Sequence, residues 1–268
     1  MVPDRIRYWC TEFIFTLALG MGCLVLPLAA QFGPLLNPLR GPQAKSQEEL
    51  DDFLTIVSAT DAQAIIQAAD HFATTFPQSE FLGVTSQWKM SACQRTGEFN
   101  CLLESGEKSL ALQPDNLNAL MTLASEIPDR ALLRPDRAEL LRKAEDYAHR
   151  ALSRLGTIHI AHEISLDHWR MMKGEMEAKA HEALGRVAVL RGDLQTAVTE
   201  LEWAAHKNPT PEGLQFFHLG VAYRLAGKDK EAKTAWLRAV ELGPDPVRGL
   251  ALGELQKSWG AGSKGKSD

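Results

Sequence analysis

The segment HIAHEISLDH brings His159, His162, Glu163 and His168 into one short stretch, the side-chain types that hold zinc. A zinc site on a helix needs its ligands one turn apart on one face, as in H-E-x-x-H, with the Glu as general base. Here His162-Glu163 runs on into Ile164 and Ser165, so no His stands where the second ligand belongs. His168 follows Ser165, which reads as the N-cap of a new helix. His159 and His162 can share a face, but two ligands do not complete a catalytic centre. The sequence also has no glycine-rich phosphate loop, no G-x-S-x-G turn and no C-x-x-C pair. The expectation is a protein that is not an enzyme, with no catalytic residue, metal or cofactor. A metal-dependent enzyme built on His159–His168 is the alternative that bound zinc would support.

Cysteine is the other reactive residue type. Cys10 and Cys23 fall in the first thirty residues, while Cys93 and Cys101 flank a turn at Thr96-Gly97. In an oxidising compartment such a pair can close a helical hairpin as a disulfide. Two unbonded thiols packed as small core residues fit the spacing equally well. Neither has a sequence neighbour that marks it as a reactive thiolate.

What positions these residues is read from composition and period. Apolar residues make up 45%, charged residues 24% and aromatics 7%, with three Tyr. Few aromatics argue against a β-sandwich, and the many Ala, Leu, Glu, Lys and Arg are helix formers. A net charge of −5 supplies no pull toward nucleic acid, and none is expected as a partner.

RGDLQTAVTEL, Arg191–Leu201, returns as AGKDKEAKTAW, Ala226–Trp236, with a Gly, an Ala and a bulky apolar residue in the same places. Phe216, Leu219, Gly220 and Tyr223 hold an i, i+3, i+4, i+7 spacing, one face of a helix. Gly227 stops that helix, Ala232, Trp236 and Ala239 mark the inner face of the next, and Pro244 closes the unit. His181, Leu184, Gly185 and Ala188, then Gly192, Ala197, Leu201, Ala204 and Pro209, form the same series 35 residues earlier.

These markers resemble the tetratricopeptide repeat (TPR), whose signature is aromatic-x2-Leu-Gly-x2-Tyr, Ala-x3-Phe and Pro. The match holds over Ala178–Gly243. Upstream it loosens: Gly97–Pro114 keeps the turn Gly and the closing Pro but has Leu102 and Gly106 where the repeat wants Ala and an aromatic. Arg142–Leu152 reads as a second helix whose partner, Asn116–Glu126, is separated from it by an insertion, PDRALLRPD. Ile65–Glu80 reads as another second helix, and its FPQSE ending resembles TPR proteins of bacterial envelopes. The resemblance implies an all-α, right-handed superhelical solenoid of antiparallel helix pairs, about eleven helices in all.

The chain divides accordingly. Residues 1–30 read as a signal peptide, or as an N-terminal membrane anchor, because Phe13–Ala30 is uncharged, at the short limit for a span, and ends in small residues. Residues 9–30 are the possible membrane tether. Gly20-Met21-Gly22 is a poor lipobox for Cys23, so lipidation is set aside. Residues 31–47 are a Pro-rich linker, ending at a capping-box pattern in Ser46 and Glu49. Degenerate TPR-like repeats follow over 48–155, a long helix and two well-matched repeats over 156–245, a capping helix over 246–258 and a flexible tail over 259–268. Either reading of the leader exports the repeats, to the periplasm or the extracellular side, or leaves them anchored to the inner membrane and facing the periplasm.

TPR proteins commonly hold a peptide or a helix in the concave face lined by their first helices. The resemblance therefore implies a protein or peptide partner and a groove at Lys179, Glu182, Arg186 and Val189, then Phe217, His218, Val221 and Arg224. Arg186 and Arg224 could pair with partner carboxylates, and Phe217 could anchor an apolar side chain. The subtype that clamps a C-terminal carboxylate is excluded, since Glu182 and Phe217 stand where it needs Lys or an amide. Trp236 reads as core, Trp203 as facing a neighbouring helix, and Trp88 and Trp169 as filler between helices. The function expected is a scaffold or adaptor outside the cytoplasm. A structural subunit of an envelope complex, held through its edges, is the alternative that an apolar strip on the convex face would favour.

Overall fold

The computed structural model describes residues 41–158 and 165–259. The leader, Cys10 and Cys23, the residues His159, His162 and Glu163, and the tail after Trp259 lie outside them. Within them the chain forms eleven helices and no strand: α1 (Gln47–Ser58), α2 (Ala62–Thr75), α3 (Leu82–Thr96), α4 (Phe99–Leu112), α5 (Leu117–Ala131), α6 (Arg137–Thr157), α7 (Leu166–Arg191), α8 (Leu194–Lys207), α9 (Gly213–Leu225), α10 (Asp229–Leu242) and α11 (Asp245–Trp259).

Starts and stops follow local chemistry. The side chains of Ser46, Asp61, Asn116, Ser165 and Asp193 each accept the backbone N–H three residues on, satisfying a donor the first turn would leave open. Gly97, Gly192 and Gly227 end first helices at φ of 75°, 80° and 73°, left-handed values that glycine adopts without a Cβ clash. After each, the next residue's N–H reaches back to the carbonyl five residues earlier: Glu98 to Cys93, Asp193 to Ala188 and Lys228 to Tyr223.

Consecutive helices pack as antiparallel pairs, α3 with α4, α5 with α6, α7 with α8 and α9 with α10. The size pattern explains the fit. A Cβ added to Gly185 would sit 2.5 Å from Leu201 Cγ, and one added to Gly220 would sit 2.4 Å from Trp236 Cδ1. In the α3–α4 pair the sizes are exchanged. Met90 stands in the glycine place and is buried, while Gly106 stands in the bulky place. A Cβ on Gly106 would lie 2.8 Å from Leu123 Cδ2, so Leu123 of α5 supplies the missing bulk. The upstream motif looked degenerate because its volumes are redistributed, not because the pair is absent.

One point differs from the sequence reading, and one follows it. The stretch PDRALLRPD was expected to separate two helices, yet α5 runs through Pro128 to Ala131 and only Leu132–Asp136 connects it to α6. Proline there removes an intrahelical donor, a cost offset by burying Ile127, Pro128 and Ala131 against the core. Trp203 does leave the core face, and it stacks on His181 at 4.0 Å, with His181 Nδ1 2.6 Å from Glu200 Oε2. That stack fills the site where His181 replaces the repeat's usual aromatic.

The buried residues form two cores. One runs from Ile56 to Val187 and the other from Ala188 to Ala251, so α7 belongs to both. The early turns of α7 pack on the loop after α8: a Cβ on Gly174 would meet Pro209 Cγ at 2.7 Å, and Thr210 Oγ1 donates to Glu175 at 2.6 Å.

Candidate partner-binding groove

First helices approach one another along the stack: α1 and α3, α3 and α5, α5 and α7, α7 and α9, α9 and α11. Among the described residues no two second helices bring Cα atoms within 8 Å. Closer spacing on one side curves the stack toward it, so the first helices line the inner face.

Polar side chains tie these helices into a ladder. Gln94 Nε2 donates to Glu126 Oε1 at 2.9 Å, linking α3 to α5. Arg186 donates to the Ser125 carbonyl at 3.1 Å and to Asp129 Oδ1, linking α7 to α5. Glu182 Oε1 lies 2.7 Å from His218 Nδ1, linking α7 to α9. Both members of that last pair are largely buried. Lys179 Nζ sits 4.0 Å from Glu212, more than half exposed. Arg224 donates to Asp229 Oδ1 at 2.6 Å across the turn into α10, away from the other groove positions.

A hollow of about 450 Å³ opens inside this ladder. Pro128, Asp129 and Leu132 form one wall, Arg186, Val189 and Leu190 the floor, and Phe217, His218 and Val221 the other wall. Arg186, Val189, Phe217, His218 and Val221, all expected in the groove, meet here. Lys179, Glu182 and Arg224 do not line it. The lining is mostly apolar, with one guanidinium, one carboxylate and one imidazole among it, a form suited to a large apolar side chain.

A second hollow of about 730 Å³ lies at Gln87, Trp88, Ser91 and Gln94 of α3, closed by Ile65 and Arg95. These four residues stand the same distances before Gly97 as Phe217, His218, Val221 and Arg224 stand before Gly227. Sequence reasoning missed them because Met90 hid the register, and Trp88 was read as filler. It is half-buried, packed on the core and lines this hollow. Counting back from the turn glycine, not from the helix-packing glycine, would have found the set. A third hollow, about 840 Å³, lies on the other side of the stack between α8 and α10. Phe216, Leu219 and Tyr223 form its floor, with Leu237 at its edge. Tyr223 donates to Glu202 Oε1 at 2.7 Å, and burial, followed by that carboxylate, pushes its hydroxyl pKa upward.

Cys93 and Cys101 meet across the Gly97 turn with Cα atoms 5.7 Å apart and sulfurs in contact. His168 lies exposed in the first turn of α7. Among the described residues no three His, Cys, Asp or Glu side chains converge as metal ligands, and no helix is long and apolar enough to cross a membrane.

No family profile matches the chain, and no curated protein does. Among solved structures, a thermophilic TPR protein of Thermus thermophilus is similar at 20% identity, with a TM-score of 0.47. The match covers 78% of this chain and 98% of that one.

Proposed function

We propose that this TPR-like array is a non-enzymatic protein-interaction scaffold that acts outside the cytoplasm and takes an extended peptide or a helix along its first helices. The observation that supports this reading is the hollow between α5, α7 and α9, whose mostly apolar lining includes one polar or charged side chain from each of these helices. Arg186 and Arg224 are already paired with Asp129 and Asp229, so free cations are not the main attraction. Recognition rests on an apolar anchor against Val189, Phe217 and Val221, with Arg186 or Asp129 exchanging partners beside it. Export rests on the uncharged run Phe13–Ala30 after Arg5 and Arg7.

The test is photo-cross-linking in intact cells from a probe placed at Val221, compared with one at Leu237. A partner trapped from Val221, and lost when Phe217→Ala is added to a chain that still folds, supports the groove. Equal trapping from both positions removes it. The hollow beside Leu237 favours a second reading, a structural subunit held by its second-helix side. Trapping from Leu237 alone supports that reading.

A further inference from the structure

Helix α7 has 26 residues and its antiparallel partner α8 has 14, so roughly three turns of α7 run ahead of the pair. This overhang adds no residue to either core: every position from Ser165 to Glu177 is exposed or only half-buried. Its charged side chains are engaged, Arg170 with Asp167, Lys173 with Glu177 and Glu175 with Thr210. What remains includes His168, Trp169 and three of the chain's seven methionines, Met171, Met172 and Met176. Methionine commonly fills gaps in a core, yet Met171 is 41% exposed. Packing does not account for it.

His168, Met171 and Met172 stand at i, i+3 and i+4, so their side chains rise from one patch of the helix, with Cβ atoms of neighbours about 5–6 Å apart. One imidazole nitrogen and two thioether sulfurs can close on a single ion there, because the methionine side chain is unbranched and turns freely. Among the described residues the His168 ring has no hydrogen-bond or ion partner; only its backbone N–H is engaged, by Ser165. Donor type decides the ion. Zinc sites are built from Cys, His and carboxylate, and calcium and magnesium take oxygen, so uncharged thioethers serve none of them. Thioether sulfur beside imidazole selects Cu(I). The positive end of the helix dipole opposes any cation in these turns, and a monovalent one least. Glu175, one turn beyond Met171, accepts from Thr210 but has no cationic partner, so its charge offsets the ion's. A thioether also cannot be lost to a disulfide, the fate of a thiol site wherever Cys93 and Cys101 bond.

We propose that His168, Met171 and Met172 form a binding site for a soft monovalent metal ion, Cu(I), on the overhang of α7. Binding changes no oxidation state and removes no proton from sulfur. The ion sits on a solvent-facing helix that folds without it, so it exchanges with solution rather than holding the structure together. The site is separate from the hollow between α5, α7 and α9 and does not depend on the reading of that hollow.

The experiment uses the full chain with Cys10→Ser and Cys23→Ser, and with any remaining free thiol alkylated, so that thioethers and imidazoles are the soft donors left. The chain is titrated with Ag(I), a redox-stable probe of the same soft chemistry, and then with Cu(I) supplied from a competing chelator. About one ion per chain should be retained, and emission from Trp169, next to His168 in the sequence, should be quenched. Trp169→Phe should remove most of the quenching and keep the ion. Met171→Leu with Met172→Leu should weaken binding roughly tenfold or more at unchanged helicity, since leucine matches methionine in helix propensity. His168→Gln should weaken it as well, whereas Met176→Leu, outside the triad, should not. A native chain that retains no ion overturns the proposal, as does a double-leucine variant that binds as tightly as the native chain. A loss with Met176→Leu as large as with the double variant overturns it too, because any exposed thioether would then serve.

Discussion

At the residue scale the decisive quantity is the room at one glycine. Gly220→Leu forces atoms into a space where a single Cβ already meets Trp236 at 2.4 Å. The expected loss is about 3 kcal/mol, roughly 6–12 °C in melting temperature for a chain of this size. An unchanged Tm would mean that Trp236 moves aside at no cost. A second residue sets an acid limit. Glu49 is 2% exposed. Burial pulls its pKa up, but hydrogen bonds from Ser79 and the Lys45 backbone, and the Lys45 charge, outweigh that and leave it below the ordinary glutamate value of 4.5. A depressed folded pKa contributes stability that is complete above the unfolded pKa and drains as pH falls through the folded one. Melting curves from pH 6 to pH 3 should therefore fall less steeply for Glu49→Gln than for the native chain. Both Gly220 and the Ser46–Glu49 cap were legible in the sequence, because each depends on neighbours at fixed spacing. The ladder Gln94–Glu126, Arg186–Asp129 and Glu182–His218 was not, because its partners come from separate pairs whose stacking distance no local pattern encodes.

At the element scale three turns share one mechanism, and the backbone states the test. Gly227→Ala puts a Cβ on a residue at φ 73° and should cost about 1–2 kcal/mol, although no atom crowds the site. Gly249→Ala, in the exposed middle of α11, should go the other way and raise helix stability by about 0.5–1 kcal/mol. Denaturant titrations of both variants measure the pair. The turn at Gly97 carries a further expectation. If Cys93 and Cys101 are bonded as their contact implies, thiol labelling of denatured, unreduced protein finds neither free. Reduction of so short a loop then costs about 2–3 kcal/mol. Helix existence was readable almost throughout. The end of α5 was not, since Pro128 signals a stop that burial of Ile127 and Ala131 overrides.

At the scale of the whole molecule, α7 is shared by two cores, so the stack has a natural line of separation. Trp236→Ala removes a large side chain that is only 1% exposed from the second core and should cost about 3–5 kcal/mol. Hydrogen exchange should then quicken across α8 to α11 while α2 to α6 keep their protection, because contacts in such arrays pass only between neighbours. Uniform loss of protection would show one cooperative unit. The repeat match over Ala178–Gly243 revealed this half of the molecule. The first half needed coordinates, since the exchange of Met90 for glycine and of Gly106 for a bulky residue preserves total volume while erasing the motif. The same arithmetic bears on ancestry. Gly185 meets Leu201 as Gly220 meets Trp236, and both units begin and end at equivalent turns. A gene segment duplicated in register at that boundary would present each flank with the surface it already fits. Lengthening by copying is therefore nearly free of repacking on the Gly192–Gly227 side, whereas the Met90–Gly106–Leu123 unit is locked to its neighbour and would have to be inherited together with α5.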